Sequence, residues 1–245
     1  MIAHPTAGHV LYDTGYSPHF FDATNPFPER LYRLLLPVEL EPRESLAQQL
    51  PVHGVDPADV AIVLISHFHG DHVSGLRDFP RSRFVAMRAD AERALSASRL
   101  GALAKGMLPD LLPAGFASRL SFADDCPAVA LPDWMQPFTA GFDLLGDRSL
   151  VGIALPGHSP AQLGLLLRAH DGRTYFLVGD ACWSMPACLA GKLPSPLVLR
   201  YVTDDRERYV RTFFAIRELA LRQPDLTIVP SHCSRTWEAL HGVAG

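Results

Sequence analysis

The chain has no run of the roughly 20 apolar residues that a bilayer-spanning helix needs, so no transmembrane segment is read in it. Its start, MIAHPTAGHV, lacks the basic residues and apolar stretch that mark a secretory leader. Clustered Lys and Arg are missing too: 22 basic residues are scattered among 26 acidic ones, for a net charge of −4. A nucleic-acid partner is excluded on that ground. The four cysteines, Cys126, Cys182, Cys188 and Cys233, show no framework spacing, which fits a reduced, cytoplasmic protein. There is no repeat of fixed period and no low-complexity tract. What is present is ordinary: 48% hydrophobic and 20% charged residues, the balance of a globular chain with a full core. At 245 residues, length alone allows one large domain or two small ones.

Strand-like apolar runs alternate with helical patterns, which predicts an α/β class. Strands are expected at Val10–Tyr12, Ala61–Ile65, Phe84–Met87, Leu150–Leu155, Leu163–Leu167, Thr174–Val178 and Leu226–Val229. The Asp171-Gly172 turn should join two of them as a hairpin. Helical turns are expected over Ser45–Leu50, after the Asp56-Pro57 cap, from Ala89 to about Ser98, and over Asp204–Arg222. The stretch from Gly101 to Gly141, rich in Pro and Gly, takes no assignment.

The chemistry sits at the ends of those strands. His67-Phe68-His69-Gly70-Asp71-His72 puts three imidazoles and a carboxylate on one loop after an apolar strand. His67 and His69, two apart, can converge on one cation, and Asp71 and His72 can face a second. A His-rich loop could be a plain polar turn, but four potential ligands in six residues argue against that. The same placement recurs three times. Leu150–Leu155 leads to Pro156-Gly157-His158, Thr174–Val178 to Gly179-Asp180, and Leu226–Val229 to Pro230-Ser231-His232. Singly, His158 and His232 read as hydrogen-bonded structural residues and Asp180 as a helix cap. Together they make seven candidate ligands at the strand ends, where open α/β sheets place their sites. Imidazole nitrogen and carboxylate oxygen suit zinc, with manganese, iron and cobalt sharing the ligand set.

These residues resemble the metallo-β-lactamase superfamily, whose signature is HxHxDH followed by a distant His, an Asp and a last His. The match runs from Leu11-Tyr12-Asp13-Thr14-Gly15, similar to the family's DTG turn, to His232, and implies a single domain over residues 1–245. The fold implied is an αββα sandwich of two mixed β-sheets flanked by helices. The resemblance puts His67, His69 and His158 on a first metal, Asp71, His72 and His232 on a second, and Asp180 between them. Family members usually carry a strand hairpin before the DTG turn. Only twelve residues precede Asp13 here, so either that hairpin is lacking or the natural chain begins earlier, leaving the first sheet short or completed by a partner.

The implied activity is that of a dinuclear-metal hydrolase, with Asp71 and Asp180 as its catalytic carboxylates. A bridging hydroxide would open an ester, lactone or thioester carbonyl. Asp13 reads either as the residue that orients a ligating His or as a turn residue capping its own backbone. β-Lactamases do not combine His72 with a bridging Asp180, and flavo-di-iron proteins carry an acid where His69 stands. The remaining group is lactonase-like and glyoxalase II-like, and GHSP and GDA look most like N-acyl-homoserine-lactone lactonases. Those usually carry a Tyr three residues after the bridging Asp, where this chain has Trp183; it reads as a pocket wall or as a single N–H donor. Cys182 and Cys233 flank ligands but read as small buried hydrophobes. Phe20, Phe21, Phe27, Trp183, Met185 and Leu189 point to a small-molecule substrate with an acyl or aromatic group. No membrane partner is expected, and a homodimer is left open. The competing readings are a non-catalytic metal-binding relative with a regulatory role and a glyoxalase II-type thioesterase.

Overall fold

In the computed structural model, which describes residues 1–242, the chain divides into two compact units, one ending at Phe122 and the other beginning at Ala123. Each is built around one sheet.

The first unit runs β1 (Ile2–His4), β2 (Gly8–Tyr12), α1 (His19–Ala23), α2 (Arg30–Leu35), α3 (Leu46–Gln49), β3 (Val60–Leu64), α4 (Gly70–Val73), β4 (Arg83–Ala86), α5 (Arg88–Ser96), α6 (Arg99–Leu103), α7 (Phe116–Arg119) and β5 (Leu120–Phe122). Its sheet has the order β1-β2-β3-β4-β5. β1 and β2 are antiparallel and the other pairs parallel, which makes it mixed. β3 is central, and four of its five residues are buried, as expected of a strand covered on both faces. Leu11, Val63, Ile65, Phe68, Phe79 and Phe84 pack into one core beside it.

The second unit runs β6 (Ala128–Ala130), β7 (Ala140–Asp143), β8 (Leu150–Ala154), β9 (Leu163–Arg168), β10 (Thr174–Gly179), α8 (Met185–Leu189), α9 (Pro196–Val202), α10 (Arg206–Arg222), β11 (Thr227–Pro230) and α11 (Ser234–His241). Its sheet has the order β11-β10-β9-β8-β7-β6, with β10 and β11 parallel and the rest antiparallel. α10 buries Tyr209, Thr212, Phe213, Ile216 and Leu219, spaced by three or four residues so that they share one stripe. That stripe packs with Ile153, Leu155, Phe176 and Val178, at roughly 1.5–3 kcal/mol for each large apolar side chain fully buried. Asp205 caps α10 by accepting a hydrogen bond from the Arg208 N–H.

Every strand read from the sequence is present, within a residue or two at each end. Three differences have local causes. A hairpin does precede the Asp13 turn: Ile2–His4 pairs with Gly8–Val10, and His4 Nδ1 accepts from the Ala7 N–H to close the loop. The Asp56 cap starts a single 3-10 turn, Pro57–Asp59, because β3 begins at Val60. The unassigned 101–141 stretch holds β5, β6 and the start of β7, strands of three or four residues. Among the described residues no helix is long and apolar enough to cross a membrane.

Candidate metal centre

In the first unit, parallel pairing does the placing. Tyr12 lies opposite Leu64, so the ends of β2 and β3 deliver Asp13 and Ser66 side by side. Asp13 adopts a positive φ of 59°, an uncommon conformation that short polar residues tolerate best. Its carboxylate accepts from the Ser66 N–H at 2.7 Å and from the Ser66 hydroxyl at 2.7 Å, and lies 2.8 Å from His72 Nδ1. Of the two readings of Asp13, the structure shows the one in which it orients a histidine.

Those contacts set the histidine tautomers. With its proton given to Asp13, the Ser66 oxygen accepts from His67 Nδ1 at 3.0 Å. Donation from the Nδ1 of His67 and of His72 leaves Nε2 of each as the lone-pair nitrogen. His67 Nε2 stands 3.0 Å from His69 Nδ1, and His72 Nε2 stands 3.4 Å from Asp71 Oδ2. Nitrogen thus faces nitrogen in one pair and carboxylate oxygen in the other. His67 and His72 are buried, while Asp71 keeps 18% of its side chain exposed. His69 is oriented by Gly106, at φ 69°, where a Cβ would stand 3.1 Å from the ring.

In the second unit, β8 and β10 both run antiparallel to β9, and β11 runs parallel to β10. The C-terminal ends of β8, β10 and β11 therefore open on the same edge, carrying His158, Asp180 and His232. A register shift between Leu177 and Gly179 kinks β10 just before Asp180. Asp180 Oδ2 lies 3.4 Å from His158 Nε2 and 3.3 Å from His232 Nε2. His158 and Asp180 are buried, whereas 47% of the His232 side chain is exposed. Gln162 braces the edge, its amide donating to the Val178 carbonyl at 2.9 Å.

The donor set fits a divalent cation: imidazole nitrogens and carboxylate oxygens, each group held at 3.0–3.4 Å within its own unit, with Asp13 as outer partner. Cys182 and Cys188 are fully buried and Cys233 nearly so, and all three are reduced, as expected of small core hydrophobes. Trp183 sits edge-on to His158, ring centroids 6.3 Å apart, and its N–H has no acceptor among the described residues. Phe20 is fully buried in the first unit's core and offers no surface to a ligand; Phe27 and Leu189 are exposed. Three side chains escaped the sequence reading: Ser66, Tyr32 and Tyr209. Tyr209 is fully buried beside Asp180 and Cys182, and burial first, then those neighbours, push its phenol pKa up. No spacing rule announces any of the three.

Two mixed sheets flanked by helices, with imidazoles and carboxylates at their strand ends, define a metallohydrolase architecture. The family model of the metallo-β-lactamase superfamily matches residues 1–232, and the chain belongs to that superfamily as a metal-dependent, lactonase-like hydrolase. It is 27% identical over 239 residues to the N-acyl homoserine lactonase AttM of Agrobacterium fabrum, covering 97% of this chain and 81% of the relative. It is 26% identical over 223 residues to AiiB of the same organism, covering 91% and 74%. Among solved structures, an N-acyl homoserine lactone hydrolase with N-hexanoyl-L-homoserine at its catalytic metal centre shares the fold at TM-score 0.63 and 14% identity, covering 94% of this chain and 78% of that one. The dizinc lactonase AidC does so at TM-score 0.60 and 16% identity, covering 94% and 70%.

Proposed function

We propose that the chain is a dinuclear-metal hydrolase that opens the carbonyl ester bond of a lactone carrying an apolar acyl group. His67, His69 and His158 hold one cation, Asp71, His72 and His232 hold the other, and Asp180 serves both. The observation that carries this is the place of Asp180 Oδ2, 3.4 Å from one imidazole and 3.3 Å from another that belong to different cations in this assignment. Two bound cations supply Lewis acidity, which makes water nucleophilic near neutral pH and polarises the substrate carbonyl. The protein's own part is to hold the donors. Asp13 and Ser66 fix the tautomers of His67 and His72. Asp71 and Asp180 supply negative charge that offsets the cations. The lactone class is supported by the relatives, which are named for it.

Elemental analysis of zinc-reloaded protein should find two metals per chain. Chelator treatment should abolish turnover of lactones and reloading should restore it. At most one metal per chain after reloading would overturn the dinuclear assignment. A loaded protein inert towards lactones, thioesters and aryl esters alike would favour a binding role.

Trp183 sets a second expectation. An indole offers one donor on a larger frame than a phenol and cannot accept. Short-chain acyl-homoserine lactones should therefore be poor substrates, with a bulkier or flatter acyl compound preferred. Trp183→Tyr should raise lactonase activity, and Trp183→Ala should mainly raise KM for the preferred substrate. A wild-type kcat/KM above about 10⁵ M⁻¹s⁻¹ on short-chain lactones would contradict this.

A further inference from the structure

The function proposed above uses His69 but gives no task to the segment that its ring leans on, residues 106–108. That segment is the stop of α6. The Met107 N–H donates to the Ala102 carbonyl at 2.9 Å and the Gly106 N–H to the Leu103 carbonyl at 3.0 Å. These are the paired bonds of a helix end that needs a left-handed residue, and Gly106 supplies it at φ 69°. The other end of α6 is pinned as well. Ser98 caps it by accepting from the Gly101 N–H, and Arg99 forks onto the buried Glu29 carboxylate, its Nε and Nη2 each at 2.5 Å from an oxygen.

The stop brings three contacts to the ligand-bearing loop. Met107 pairs with His69 as an isolated antiparallel bridge. A Cβ on Gly106 would stand 3.1 Å from Cδ2 and 3.4 Å from Nε2 of His69, so that edge of the imidazole rests on bare backbone. Leu108 Cδ1 lies 3.5 Å from where a Cβ on Gly70 would stand, and so does Phe20, which Tyr32 backs edge-on at 5.6 Å. The residue after His69 is thus packed on two sides and cannot slide to make room. The opposite edge of the ring presents Nδ1 to His67 Nε2 at 3.0 Å, which makes Nδ1 the nitrogen that shares a cation with His67. We propose that Gly106 is the positioning residue for His69: it seats the Cδ2–Nε2 edge so that Nδ1 points at the first cation. This rests on the assignment of His69 to that cation.

Gly106→Ala tests it by adding one methyl at that contact, with Gly115→Ala as the matched control. Gly115 has nearly the same backbone conformation, φ 70°, but its added Cβ would meet nothing closer than Ser118 Oγ at 3.5 Å. Both variants carry the backbone cost of a side chain at positive φ, so both should lower the urea unfolding midpoint of metal-stripped protein. Zinc affinities are measured by competition with a chromophoric chelator, and His69→Ala identifies the binding step to which His69 belongs. In Gly106→Ala that step should weaken about 10–100-fold and the other by less than about threefold, the range for loss of an outer partner. In Gly115→Ala neither step should move. Unchanged affinities in Gly106→Ala, or equal weakening of both steps, would overturn the inference while His69 keeps its cation. If His69→Ala itself left both steps unchanged, the assignment of His69 would fall first, and the role of Gly106 with it.

Discussion

Asp180→Asn should lower kcat/KM for the preferred substrate by about a hundredfold to a thousandfold, the scale for removing one preorganised charge-stabilising group. The argument is geometric. A single carboxylate oxygen sits between the Nε2 atoms of His158 and His232. Asparagine keeps the size but loses the charge, and it offers one acceptor oxygen where the carboxylate offers two. With the amide oxygen in the place of Oδ2 both imidazoles still face an acceptor, so what is lost is the charge and the second acceptor oxygen. The fold should survive, since the substitution is isosteric and the strand pairing that ends at Gly179, just before it, uses backbone groups. Kinetics and a urea unfolding curve on the same preparation check both halves. Near-normal turnover would take Asp180 out of the site.

The legible parts of this chain are those where burial and chemistry are both local. Leu150–Ala154 and Thr174–Gly179 are continuous apolar runs followed by a potential ligand, and run and ligand are read from adjacent residues. The strands inside 101–141 were not legible because they are too short to show a period and lean on their neighbours. A Cβ on Gly141 of β7 would stand 2.6 Å from a Val151 side-chain carbon, so that strand is defined by its fit to β8. Asp13 was half legible. The turn is visible in sequence, but its hold on His72 follows from the pairing of β2 with β3, strands some fifty positions apart. The sequence names chemical groups well, but the partners that orient them are set by tertiary structure.

Gly157→Ala should cost more stability than any other single-methyl addition described here, about 4 kcal/mol or more, in the range reserved for severe backbone conflict. Gly157 has a φ of 132°, a conformation open essentially only to glycine. An added Cβ would stand 2.1 Å from the Tyr209 nitrogen, 2.3 Å from its Cα and 2.7 Å from the Arg208 carbonyl carbon. All three are backbone atoms of α10, and no rotamer change can clear them. The contact is also bonded in place: the Gly157 carbonyl accepts from the N–H groups of Asp204 and Asp205, and the Thr212 hydroxyl donates to the Pro156 carbonyl at 2.7 Å. Relief therefore requires α10 to move off the loop that carries His158, breaking the Tyr209 and Phe213 packing as it goes. Gly172→Ala is the matched control. It too has a positive φ, 84°, but nothing lies within 4 Å of its added Cβ, so only the backbone cost of about 1–2 kcal/mol should appear. Urea unfolding of the two metal-stripped variants measures the difference. Equal midpoints would show that the close approach of α10 to the His158 loop is not part of the folded protein in solution.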